Sequence, residues 1–265
     1  MQVEVRRTDN SAEQRASAGI DLAVVVPVYN EASVIERVVA DLESVLVPIV
    51  DSLQVIVVDD ASTDETPQRL MQLAASRPWL TVERAPRNRG HGASVLRGLE
   101  LADSEWIFQL DSDGQVVIGE FARLWERHLD VDLVLGVRTS RRDQLHRRAL
   151  SHVIAAAVSA LCRRRLRDVN TPVRLLRREL VQDLVPSIPP GTLAPNLFVV
   201  VGATIRGWRI GEVPITHLPR AHGRSSLRSA RLILFSLHGF LQLAWFRSRL
   251  LRARRRLRVT ANART

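Results

Sequence analysis

Leu22 to Tyr29 reads LAVVVPVY, a short apolar run rich in β-branched residues that ends against the polar pair Asn30 and Glu31. A run of this kind predicts a strand covered on both faces. Directly after it, Ser33 and Glu36 stand at capping-box spacing, and Ile35, Val38, Val39, Leu42, Val45 and Leu46 recur at helical spacing. The unit then returns. Leu53 to Val58 (LQVIVV) ends in Asp59 and Asp60, and is followed by Ser62 and Glu65 at the same capping spacing and by a helical stretch to about Ser76. Further strands are expected at Leu80 to Arg84, Trp106 to Leu110 and Asp132 to Val137, with helices at Ala93 to Ala102 and Phe121 to His128. Such alternation predicts an α/β fold with a mostly parallel central sheet flanked by helices.

Past this region the pattern is less regular. It predicts a helix over Leu145 to Leu166, a Pro-rich loop over Pro186 to Pro195, then a helix and a strand around Ile210 to His217. From Leu227 to about Leu257 the chain reads as helix. Its apolar stretch, Leu232 to Phe246, is 15 residues long and contains Ser236, His238 and Gln242. That is short of the ~20 residues that cross a bilayer. Arg231, His238, Gln242 and Arg249 share one stripe, opposite Ile233, Leu234, Leu237, Phe240, Leu241, Ala244 and Trp245. The helix either lies on a membrane surface or packs on its own domain or a partner. Three segments follow: a flexible N-terminal 1–20, one α/β domain over 21–226, and an amphipathic helix with an Arg-rich tail over 227–265.

With 265 residues, 46% of them hydrophobic and 25% charged, the chain is too long and apolar for a peptide scaffold, a collagen-like rod or a wholly disordered protein. All 38 basic residues are Arg, and the net charge is +10. The charge is segregated: 138–178 carries +10, 247–264 carries +8 with no acid, and the remainder is acidic. That distribution favours an anionic partner, whether nucleic acid, a phosphorylated ligand or an anionic membrane. The single Cys162 cannot form an internal disulfide, and Met1 to Gly19 lacks the basic-then-apolar pattern of a secretory signal. The expected address is the cytoplasm.

The chemistry concentrates at strand ends. In Trp106 to Gln115 (WIFQLDSDGQ), a buried strand ends in Asp111 and Asp113. Two residues apart in extended chain, they point to the same side and converge on one hard divalent cation, with Gln115 adding a neutral oxygen. Ligands in open α/β sheets bind beyond the carboxyl ends of strands. Pro27 to Glu31 and Asp59 to Asp64 reach that same edge, so Asp59 and Asp60 are read as ligand contacts, and Ser62 and Asp64 as helix caps. Asn88 to Ser94 (NRGHGAS) opens a helix, and Gly90 and Gly92 permit close backbone approach, but the spacing is not that of the dinucleotide fingerprint. His91 in that loop is read as incidental. The absence of a Cys/His cluster, a G-x-S-x-G elbow and a P-loop lysine excludes zinc sites, serine hydrolases and P-loop kinases.

Taken together, Val24 to Glu31 (VVVPVYNE), Val58 to Thr66 (VDDASTDET), Asn88 to Leu99 (NRGHGASVLRGL), Gln109 to Gln115 (QLDSDGQ) and Gly136 to Asp143 (GVRTSRRD) resemble the family 2 glycosyltransferases of the GT-A fold, in order and in spacing. Asp168 to Glu179 (DVNTPVRLLRRE) and Gly207 to Ser226 (GWRIGEVPITHLPRAHGRSS) are similar to the polyprenyl-phosphate sugar transferase branch, that of dolichol-phosphate mannosyltransferase. The likeness covers Leu22 to Ser226.

It implies nucleotide contacts from Pro27, Tyr29, Glu31, Asp59, Asp60, Gly90 and Asp111, and a Mg²⁺ or Mn²⁺ ion on Asp111, Asp113 and Gln115. Asp113, Arg138 and Arg174 take catalytic positions, and Arg141 and Arg224 face acceptor phosphate. Ala61 stands where Gly is usual, and Val173 where an aromatic is common. The implied partners are a nucleotide-diphospho-sugar and a polyprenyl phosphate at the cytoplasmic membrane face, with no nucleic acid.

A phosphate acceptor is already ionised near neutrality, its second pKa lying near ~6, and needs no general base. A hydroxyl acceptor needs one. The chain has neither a Glu-Asp dipeptide after the metal motif nor a Q-x-x-R-W signature. For a hydroxyl acceptor the downstream carboxylates are Glu179, Asp183 and Glu212. A third reading is an inactive transferase scaffold that binds membrane or nucleic acid.

Overall fold

In a computed structural model, residues 21–139, 145–192, 194–216, 218, 239 and 241–252 are described, with the side chains of 145–152 outside that description. The chain runs β1 (Asp21–Val28), α1 (Ile35–Leu46), β2 (Ser52–Asp59), α2 (Thr66–Ala75), β3 (Leu80–Arg84), α3 (His91–Leu101), β4 (Trp106–Gln109), α4 (Phe121–Glu126) and β5 (Leu133–Arg138). It continues with α5 (Leu145–Cys162), β6 (Arg174–Arg177), α6 (Arg178–Leu184), α7 (Pro195–Arg206) and β7 (Ile210–Ile215). A last helix, α8, covers 241–252.

The seven strands form one sheet in the order β3-β2-β1-β4-β6-β5-β7. Every pairing is parallel except those of β6, which runs against both β4 and β5. Alternate residues of each strand feed two cores. Ala23, Val25, Ile107, Leu135 and Leu176 pack under α3, α5, α6, α7 and α8, whereas Val24, Val26, Phe108, Val134 and Leu175 pack under α1 and α4. Covering on both faces is why β1 reads as a continuous apolar run instead of an alternating one. Burying each of the Val, Leu, Ile and Phe side chains among them contributes roughly 1.5–3 kcal/mol.

Strand order reverses direction at β1, between β2 and β4, which opens a crevice at the carboxyl ends of β1 and β4. Helix α3 is pressed into its wall, because Gly98 rests on β1 where any Cβ would collide with Val25. The helix N-terminus is thereby brought to the crevice.

Two local expectations need correction, and two elements are unanticipated. Ser33 does not cap α1: the first helical amides bond to the Glu31 carbonyl, and Glu36 instead pairs with Arg69 at 3.0 Å. Helix α5 stops at Cys162, with Arg163 in the left-handed region at φ 51°, before the anticipated end at Leu166. Strand β6 and helix α6 have no counterpart in the sequence reading, since Arg174-Leu-Leu-Arg177 is four residues long and flanked by charge at both ends.

Helix α8 packs on its own domain. Leu243, Phe246 and Leu250 are buried, the Phe246 ring meets Phe198 at 5.2 Å, and Arg247 Nε donates to the Leu161 carbonyl at 3.1 Å. Among the described residues, no helix is long and apolar enough to cross a membrane.

Candidate active site

A cavity of about 480 Å³ opens at the crevice. Strand β1 and the turn after it supply Pro27, Val28, Tyr29 and Glu31; Asp60 follows β2; Asn88, Gly90, His91 and Ser94 come from the start of α3; Asp111, Ser112 and Asp113 follow β4. Of the residues anticipated from sequence, it brings together Pro27, Tyr29, Glu31, Asp60, Gly90, Asp111 and Asp113.

The walls are fixed by a net of backbone amides on polar side chains. Asn30 takes φ 55°, its N–H donates to Ser62 Oγ at 2.9 Å, and its Oδ1 accepts from the Thr63 N–H at 2.8 Å. Glu31 N–H donates to Thr66 Oγ1 at 3.0 Å. These bonds hold the turn after β1 against the turn after β2, and so aim Tyr29 and Glu31 into the cavity. Ser62 therefore ties the two turns together and does not cap α2. Asp64 does serve that helix start, accepting from the Thr66 N–H at 3.0 Å. Burial pushes the Asp64 pKa up, but the hydrogen bonds from Thr66 and Ala32 outweigh it and the net direction is down.

Asp59 and Asp60 are adjacent and diverge. Asp60 lines the cavity and accepts the Arg89 and Gly90 amides at 2.7 and 2.8 Å, fastening the glycine loop. Asp59 is fully buried, accepts the Ser62 amide at 2.9 Å and lies 3.3 Å from Arg84 Nε. It braces the turn, where Ala61 sits at φ 59°, and is not among the residues that line the cavity.

Asp111 and Asp113 both reach the cavity, though from a bend beyond β4 and not from extended strand. Asp111 Oδ1 is buried with no hydrogen-bond partner among the described residues, and His91 Nε2 lies 3.7 Å from it. Burial pushes the Asp111 pKa up and Asp113 adds to this, while His91, Arg138 and Arg174 pull it down; the net direction is up. A buried carboxylate oxygen without a donor is the kind of group a cation satisfies. Two carboxylates of this sort fit a hard divalent ion that retains room for diphosphate oxygens.

Gln115, the expected third ligand, is engaged by Leu218. Gly114 at φ 70° turns the chain, and the Leu218 N–H donates to the Gln115 carbonyl at 2.8 Å while the Gln115 side-chain amide donates to the Leu218 carbonyl at 2.8 Å. It does not line the cavity. Among the described residues, no three His, Cys, Asp or Glu side chains cluster as a complete metal cage.

Arg138 and Arg174, the two arginines expected at phosphate, are both held by protein groups. Arg174 is fully buried and gives its guanidinium to the carbonyls of Thr171, Asn196 and Val169 at 2.7–3.1 Å. Burial pushes its pKa down to about 9, with Asp168 and Asp111 opposing, so it stays charged at neutral pH. It knits β6 to the start of α7 behind the site. Arg138 is clamped by Asp168, and neither arginine lines the cavity. Arg141 and Arg224 lie outside the described residues.

The downstream carboxylates face other partners. Glu179 lies near Arg177, Asp183 accepts from Trp208 Nε1, and Glu212 accepts the Arg167 amide. None of them lines the cavity. His91, expected to be incidental, is the one basic side chain lining the cavity among the described residues; its place in the first turn of a glycine-led helix is the signal that points there.

A family model described as Glycosyl transferase family 2 matches residues 23–185. Among curated relatives, an undecaprenyl-phosphate 4-deoxy-4-formamido-L-arabinose transferase of Pseudomonas paraeruginosa is 31% identical over 218 residues, covering 81% of this chain and 62% of the relative. The Klebsiella pneumoniae protein of the same name is 25% identical over 214 residues, covering 80% and 64%. This chain thus spans less than two thirds of the length of these relatives.

Among solved structures, Mycobacterium tuberculosis glucosyl-3-phosphoglycerate synthase superposes with a TM-score of 0.66 at 21% identity, over 90% of this chain and 84% of that one. The Pyrobaculum calidifontis mannosyltransferase PcManGT, solved with GDP-Man and Mn²⁺, gives 0.62 at 21% identity, over 88% and 68%. Both share the GT-A fold.

Proposed function

Because the chain belongs to glycosyl transferase family 2, we propose that it moves one hexose from a nucleoside diphospho-sugar to the phosphate of a membrane-embedded polyprenyl phosphate, with inversion at the anomeric carbon. The observation that carries this reading is Asp111 and Asp113 meeting the N-terminus of α3 in one cavity, with a buried Asp111 oxygen left without a donor.

Tyr29, Glu31 and Asp60 line the part of the cavity that would take the nucleoside. The diphosphate lies toward the start of α3, where Gly90, His91 and Ser94 line the wall and the helix dipole favours negative charge. A Mg²⁺ or Mn²⁺ ion held by Asp111 and Asp113 would supply charge stabilisation to the departing diphosphate. In the transfer, an acceptor phosphate oxygen forms a bond to the anomeric carbon as the bond from that carbon to the diphosphate breaks. The electron pair leaves with the nucleoside diphosphate.

Two observations favour a phosphate over a hydroxyl as acceptor. Glu179, Asp183 and Glu212 are engaged away from the cavity, so none is placed as general base. The curated relatives are also named as undecaprenyl-phosphate sugar transferases. An acceptor of this kind resides in a bilayer, and the protein works as a peripheral enzyme at the cytoplasmic face of the cell membrane.

The test is incubation of the full chain with labelled UDP- and GDP-hexoses, Mn²⁺ and undecaprenyl phosphate, followed by extraction into organic solvent. Label in the lipid phase that depends on Asp113 is expected. Label appearing only on added hydroxyl acceptors would overturn the reading.

A further inference from the structure

Helix α8 has two working faces. Leu243, Phe246 and Leu250 are spent on the domain core. The outward stripe, at helical spacing, is Leu241, Trp245, Arg249 and Arg252, all exposed, with Leu241 61% and Trp245 51% accessible. The expected division is thereby corrected: Arg249 sides with Leu241 and Trp245 and does not lie opposite them. The Arg249 guanidinium lies over the Trp245 ring, 5.5 Å from its centre. Helix α5, whose Leu161 carbonyl accepts from Arg247 of α8, leaves Val153 65% exposed. The sequence that follows α8 adds Arg254, Arg255, Arg256, Arg258 and Arg264 without a single acid.

We propose that this outward stripe of α8 is a docking surface for an anionic lipid bilayer. It deepens the reading above, since a lipid-linked acceptor requires a bilayer partner. Tryptophan settles at headgroup depth because its ring is apolar and its N–H is polar, and Leu241 adds area that enters the acyl boundary. The arginines lie alongside, where their stems stay apolar and their heads meet lipid phosphate. Each Arg near an anionic leaflet raises affinity about fivefold.

The composition decides among occupants. Nucleic acid would match the arginines but offers nothing to Leu241. A second copy related by a twofold axis would set arginine against arginine. An anionic bilayer satisfies both the apolar and the basic halves.

The test is co-sedimentation of the full chain with vesicles of phosphatidylcholine alone and of phosphatidylcholine with about one-third phosphatidylglycerol. Binding to the anionic vesicles that weakens with salt is expected. Leu241→Ser with Trp245→Ala should lose at least about tenfold in vesicle affinity, and the charge reversal Arg249→Glu with Arg252→Glu should do the same without touching the apolar pair. Equal binding to both vesicle types, or wild-type binding by the Leu241/Trp245 variant, would overturn the proposal. So would a DNA duplex, or self-association seen by light scattering, that depends on Trp245 while vesicles do not bind.

The test is separable from catalysis, because transfer to a short-chain polyprenyl phosphate dispersed in detergent needs the cavity and no bilayer. The Leu241/Trp245 variant should retain that transfer. Loss of transfer by the wild-type chain with vesicle binding intact would count against the acceptor reading alone.

Discussion

Arg138 and Asp168 grip each other through two parallel bonds, Nε to Oδ2 at 2.7 Å and Nη2 to Oδ1 at 3.0 Å, with side chains only 15% and 5% exposed. The pair ties the end of β5 to the segment ahead of β6, and it neutralises the arginine that the G-x-R motif suggested for phosphate. Removing one partner strands a charge away from water. Asp168→Ala is expected to cost about 3–5 kcal/mol in urea unfolding, and the double variant Arg138→Met with Asp168→Leu much less. A single-variant loss under about 1 kcal/mol would show the pair to be solvated and dispensable.

Asp60 fastens the glycine loop through the Arg89 and Gly90 amides while lining the cavity. Asp60→Ala leaves both amides without their acceptor and frees the loop that leads into α3. Nucleotide affinity, followed by titration calorimetry, should fall at least about tenfold, since each lost charge-assisted bond is worth about 1.5–3 kcal/mol. Asp60→Asn keeps one acceptor oxygen and should fall between.

Asp111 carries an acid dependence whose sign is set by its raised pKa. Between the ordinary carboxylate value and that raised value, the folded chain binds more protons than the unfolded chain, so stability declines as pH rises through the interval. Ionising this side chain therefore costs stability. Asp111→Asn should melt at the same temperature or a few degrees higher at pH 7, and lose metal-dependent nucleotide binding. Calorimetry across pH 4–7 on both chains checks this, and a clear fall in the melting temperature of the variant would contradict it.

What the sequence made legible follows from burial on two faces. Strands β1 and β2 read as unbroken apolar runs, so their ends could be located, and Tyr29, Glu31, Asp60 and Asp113 lie in the cavity because they sit just past such ends. What stayed hidden depended on single backbone turns or on burial of charge. Gly114 redirects the chain so that Gln115 faces Leu218. Neighbouring Asp59 and Asp60 face different ways, which motif order does not reveal. Arg174 is concealed most thoroughly, since a buried guanidinium satisfied by three carbonyls has the same sequence appearance as a phosphate ligand.

Titration of UDP and GDP into the full chain, with and without Mn²⁺, bears most directly on the role of Asp111 and Asp113. At least one of the two nucleotides should bind at least about tenfold more tightly with the metal present, a gain of about 1.4 kcal/mol or more. Asp113→Ala should erase that gain while unfolding at the wild-type temperature. Nucleotide binding indifferent to the metal, or a metal effect that survives in Asp113→Ala, would contradict the assignment.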